Sequence, residues 1–116
     1  AKLSLDIFLQ TRNFTALHAV TASHATRLIL PFVEDRDNFL REFFVGIITA
    51  VMTIPNDQFR IEVGLLNDHF SIDELMDKAK SSTDSHDVKF VYSCLEEFKF
   101  YGDHKYLIAA EQRLIK

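Results

Sequence analysis

From Asn13 to Val33 the chain runs for 21 residues with Arg27 as its only permanently charged side chain. A helix so poor in charge has no evident solvent face, and the stretch predicts a helix buried almost all round. It also carries His18, His24 and Arg27, groups that need partners once they leave water. Any fold of this sequence must therefore place the segment centrally and satisfy imidazole and guanidinium groups beside it. Within it Leu17, Val20, His24 and Leu28 form one stripe. His18, Ala22, Ala25 and Ile29 form a second, whose small residues predict close approach of another helix.

The rest of the chain reads as helices arranged around this one. With 3 Gly and 2 Pro in 116 residues, a many-turned β fold is disfavoured. Residues 3–11 form a short amphipathic helix through Leu5, Phe8 and Leu9, and residues 13–15 offer a cap for the second helix, about 15–30. Asp35 or Asp37 caps a third, which runs to about Ile54 and ends at Pro55. Its Phe39, Phe43, Ile47 and Val51, flanked by Leu40, Phe44 and Ile48, make a wide apolar face that predicts two packing neighbours. Residues 58–65 alternate like a strand, but the chain offers no second strand, so a helix or extended linker is expected there.

Ser71 and Glu74 spell a capping box with Phe70 and Leu75 as its staple, which predicts a helix over 72–81. A polar turn follows, then a helix over about 86–99 with Val88, Val91, Tyr92, Leu95 and Phe98 on one face. Gly102 ends it, and Asp103 caps a last helix through Leu114. The expected fold is all-α: one domain over 1–116 with five or six helices. Because the chain begins at Ala1 rather than Met, a processed chain or a fragment of a longer one is expected.

Composition removes several function classes. A net charge of −4 with scattered Lys and Arg gives no surface that tracks phosphates, so nucleic-acid binding is not expected. The longest apolar run, Phe43 to Ile54, is too short to span a bilayer. A lone Cys94 fits a reducing compartment, and the cytoplasm is the expected location. The five histidines show no H-x-x-x-H or Glu-x-x-His spacing, and His18 and His24 point about 120° apart on a regular helix, so no metal site is expected. Cys94 lies within a helix and reads as core. Glycines only at 46, 64 and 102 cannot build a dinucleotide or phosphate loop, and no G-x-S-x-G elbow occurs.

His18, His24 and Arg27 remain, with two readings. In one, His24 sits in the core with its nitrogens bonded, and Arg27 pairs with a carboxylate. In the other, a histidine lines a pocket as acid, base or donor while Arg27 holds a ligand oxygen. Tyr92 and Tyr101 are packing residues in the first reading and site companions in the second.

The run LHAVTASHATRLILPF (Leu17–Phe32) resembles a stretch of the questin oxidase-like family, and HDVKFVYSCLEEFKFYGDHKYLIAA (His86–Ala110) resembles a later helical segment of it. The two blocks stand in the family's order and cover about a third of the chain. The resemblance implies the C-terminal portion of an α-helical oxidoreductase that uses NADPH for Baeyer–Villiger oxidation of anthraquinones. His18, His24, Arg27, His86 and Lys89 fall at matching positions, followed by Tyr101 and Asp103; Ser93 or Cys94 stands where the family has Ala. Carried over, His18 and His24 would be catalytic, and Arg27, His86 and Tyr101 would bind the substrate. The rival expectation is a non-catalytic helical module that binds a hydrophobic ligand or docks on a partner, including a second copy of itself. The Phe39–Val51 face and the 58–65 segment motivate it.

Overall fold

The structure is a computed structural model and describes residues 1–115. Six α-helices follow one another: α1 (Lys2–Thr11), α2 (Phe14–Ile29), α3 (Arg36–Val51), α4 (Ile72–Ser81), α5 (Ser85–Tyr101) and α6 (Lys105–Leu114). No strand occurs among the described residues. Three single turns of 3₁₀-helix, Leu30–Phe32, Asn56–Gln58 and Val63–Leu65, take the number of helical segments beyond the five or six expected. No single helix among the described residues is long and apolar enough to cross a membrane.

Local chemistry sets the helix ends. The Asn13 side chain accepts from the Thr15 and Ala16 amides at 2.7 and 3.3 Å, and Asp35 accepts from Asn38 at 3.1 Å. Around Ser71 the capping box forms in both directions, at 3.2 and 3.3 Å. Gly102 closes α5 in the left-handed region at φ 70°, and its amide reaches the Phe98 carbonyl at 2.7 Å. Asp103 then accepts from the Lys105 amide at 3.0 Å.

The core lies between α1, α2, α5 and α6, with α4 laid across α5 and α6. Phe8 meets Phe90 edge to face at 4.5 Å, surrounded by Leu5, Leu9, Leu17, Leu75, Cys94, Ala109 and Ala110. Two expectations fail here. The stripe His18, Ala22, Ala25, Ile29 faces solvent, and α2 buries Ala16, Ala19, Ser23 and Thr26 instead. On α5 Val91 and Leu95 are buried and Phe98 half-buried as expected, but the buried side is centred on Phe90, Cys94 and Glu97 and leaves Val88 and Tyr92 exposed.

The largest difference concerns α3. Its wide apolar face predicts two neighbours, yet α3 packs chiefly on α2 and buries only Ile47. Six α-helices leave none to cover its other side.

Residues 58–65 form neither strand nor regular helix. Between its two 3₁₀ turns the chain runs extended across the end of α1, and the Arg60 and Ile61 amides both donate to the Gln10 carbonyl, at 3.2 and 3.1 Å. The alternation is real, with Ile61 and Val63 inward and Arg60 and Glu62 outward, but its partner is a helix end.

The far end of this strap is held by a buried carboxylate. Glu111 of α6 accepts from the His69 and Phe70 amides at 2.6 and 2.7 Å and from His69 Nδ1 at 3.0 Å. Burial pushes the Glu111 carboxyl up, but these bonds outweigh it and hold the pKa below the ordinary 4.5. Since the folded value lies below the unfolded one, this stabilisation is complete above pH 4.5 and is lost as pH falls through the folded value. Thermal melts from pH 7 downward should show an acid-side loss of Tm that is smaller in Glu111→Gln. An unchanged acid limb would remove the clamp from the account. At pH 7 Glu111→Ala should cost about 2–3 kcal/mol by urea titration, because it strands two amides.

Candidate functional site

The C-terminal half of α2 carries polar groups on two sides. Toward α5, His24 is buried, with Nδ1 3.0 Å from Ser93 Oγ and its ring 5.8 Å from that of Tyr92. One turn on, Arg27 Nε donates to Glu97 Oε1 at 2.7 Å, and the guanidinium lies over the Phe100 ring at 4.1 Å. The Glu97 side chain is 1% exposed and that of Arg27 20%. His24 Nε2 stands 4.0 Å from the same Glu97 oxygen, beyond hydrogen-bond reach. Among the described residues neither His24 Nε2 nor Glu97 Oε2 has a partner. Two buried orphan atoms in one cluster are unusual and mark it for scrutiny.

Near this cluster Cys94 and Tyr106 have raised pKa values, in both cases chiefly through burial and then through the Glu97 charge. Cys94 is thus kept as a neutral thiol, a packing residue without nucleophilic character.

On its other side, α2 forms the wall of an open cleft of about 400 Å³. Ser23, Thr26 and Arg27 of α2 face Leu3 and Ser4 of α1 and Leu40, Phe43, Phe44 and Ile47 of α3, with Tyr101 at one end. The cleft exists because the apolar side of α3 has no second neighbour. Its lining is mostly apolar, and its polar side chains include hydroxyls, such as the Ser4–Ser23 pair at 3.2 Å, and the guanidinium of Arg27; Ala1 lies at its rim.

The candidate residues from the sequence therefore separate. Arg27 and Tyr101 share the cleft, and His24 stands beside Arg27 but lines no part of it. His18 and His86 lie together elsewhere, 5.4 Å apart between ring centroids, against Phe14. His18 is about 13 Å from Arg27 along α2, at 1.5 Å per residue. Its Nδ1 donates to the Phe14 carbonyl at 2.9 Å, and His86 Nδ1 meets Asp84 Oδ1 at 3.0 Å. The His86 amide also donates to Asp84 Oδ1, at 2.9 Å, and the bonds from the His86 amide and ring hold the Asp84 carboxyl below its usual range. Among the described residues no three His, Cys, Asp or Glu side chains come together in a way that could hold a metal ion.

NADPH does not fit the cleft residues. Several phosphate charges would meet a single cationic side chain, Arg27, whose charge Glu97 already matches. Glu97 was the residue that sequence reasoning missed. Its signal was present, since an acid at 97 shares the α5 face of Phe90 and Cys94 at helical spacing.

Removing Arg27 alone should strand a buried carboxylate. Arg27→Met should cost about 2–3 kcal/mol in urea titrations, less than a fully buried pair because Arg27 keeps some solvent. Arg27→Met with Glu97→Leu should recover most of it. A double variant no more stable than the single one would mean that Glu97 is held by something other than this pair.

With this geometry in view, the chain was compared with models of protein families, with curated proteins and with solved structures, and nothing matches it.

Proposed function

We propose that this chain is a helical binding module that takes a small apolar molecule with one polar head into the cleft between α1, α2 and α3. The observation that carries the reading is the apolar side of α3, open along a cleft of about 400 Å³. Small-molecule sites have this size and character: mostly apolar walls with a few placed polar groups. Leu40, Phe43, Phe44 and Ile47 supply the walls, and Arg27 is the charged group among them.

The oxidoreductase reading that the family resemblance implies has one observation in its favour. Arg27 and Tyr101, two of the residues matching the family, share the cleft wall, where they would hold an aromatic substrate by its oxygen. It would use the same cleft, with His24 acting from behind Arg27.

A polycyclic quinone serves as a common probe. The binding reading expects saturable binding, seen as a change in quinone absorbance, with no NADPH consumed; consumption of NADPH would favour the oxidoreductase. Phe44 lines the cleft yet is 55% exposed, so Phe44→Asp should leave the helical circular-dichroism spectrum intact while weakening binding at least about tenfold. Val88→Asp, exposed on α5 away from the cleft, should bind as the parent does. Equal binding by parent and Phe44→Asp would overturn the assignment to this cleft.

A further inference from the structure

The charges around Arg27 narrow the ligand class, if the cleft is a binding site as proposed above. A guanidinium carries five N–H donors. Glu97 takes the Nε donor, and among the described residues no acceptor stands on the two Nη groups. The Phe100 ring beneath and the Nε bond at one side fix the plane of the group. Arg27 lines the cleft, and two Nη groups without an acceptor are the complement of a carboxylate, which takes two such donors at once.

A bound carboxylate would disturb the charge balance. The resting cluster is near neutral, since Arg27 and Glu97 cancel. An added anion leaves one uncompensated negative charge beside a carboxylate that is 1% exposed, which is costly in such a place. The structure contains a group able to supply the missing positive charge. His24 Nε2 has no partner and stands 4.0 Å from Glu97 Oε1, while Nδ1 is already bonded to Ser93. The other titratable or charged groups near it are Arg27 on its own helix and Tyr92 on α5. The Glu97 charge acts on Cys94 and on the α6 residue Tyr106, and both are kept neutral.

We propose that the cleft takes an apolar carboxylic acid, whose carboxylate binds the Nη edge of Arg27, and that one proton is taken up on His24 as it binds. No covalent bond other than one N–H of the His24 ring is made: the proton comes from solvent, the imidazolium faces Glu97 across 4.0 Å, and the total charge of the cluster is unchanged.

The test uses a medium-chain fatty acid, its methyl ester and calorimetry in buffers of different ionisation enthalpy. Between pH 6 and 8 the acid is ionised, so binding that carries a proton onto the protein is opposed by rising pH. The acid should take up about one proton at the upper end and lose up to about tenfold in affinity per pH unit. The ester should bind with no proton uptake and no pH dependence, and His24→Asn should bind the acid with neither. Acid and ester that bind alike, without proton uptake, would overturn this inference and leave the binding module standing. Proton uptake that persists in His24→Asn would overturn the role of His24. If neither compound binds, the module reading falls with it. The comparison of acid and ester in the parent protein decides the matter even where His24→Asn fails to fold.

Discussion

Three carboxylates buried on α5 and α6 tie the elements of this protein together. Glu97 joins α5 to α2 through Arg27. Asp87 joins α5 to α6 through Arg113 and accepts from Ser82 at the end of α4. Glu111 joins α6 to the strap that precedes α4. Apolar contact between helices is strong but non-directional, and helices of similar shape can slide or rotate against one another. A carboxylate at 1–3% exposure tolerates no such freedom, because a shift of one turn leaves it without its partner. The aromatic core holds the helices together, and the buried acids fix which faces meet.

This division explains what could be read from the sequence. Helix ends were legible because caps are local: Asn13, Asp35 and the Ser71–Glu74 box each act within three residues. The strap was half legible, its alternation visible but its partner, the Gln10 carbonyl, lying about fifty positions earlier. Which face of a helix is buried was less legible. Periodicity on α5 favours Val88 and Tyr92, while the fold turns the helix to bring Glu97 and Asp87 inward. Acids at helical positions are usually solvated, so a sequence gives no reason to move them inside until Arg27 and Arg113 are known to wait there.

The candidate site shows the same limit. The sequence marked the C-terminal half of α2 through His24 and Arg27, and both readings of those residues drew on true features. Arg27 does pair with a carboxylate, and it also lines a cleft. The family resemblance implied a joint catalytic role for His18 and His24, but they sit on different sides of α2, one exposed and one buried. The 120° between them was already in the numbering. The cleft itself was not legible, because the width of an apolar face says how much surface wants cover and says nothing of how many neighbours arrive.

The open side of α3 sets the energy scale of any binding there. Fully burying a side chain such as Phe or Leu contributes about 1.5–3 kcal/mol. Leu40 and Phe44 are 40% and 55% exposed, so a ligand that covers them gains about half of that from each. The sum, about 1.5–3 kcal/mol, is less than the free energy of a millimolar complex, about 4 kcal/mol. Apolar contact at these two residues would therefore hold a ligand only weakly. A useful affinity requires the rest of the wall and a directed polar contact as well. The cleft offers one cationic side chain for that contact, Arg27, already oriented by Phe100 and Glu97. Preorganisation reduces the cost of ordering that group on binding. The buried pair that fixes α2 against α5 thus also prepares the polar end of the cleft, and the stability of the fold and the chemistry of the site rest on the same guanidinium.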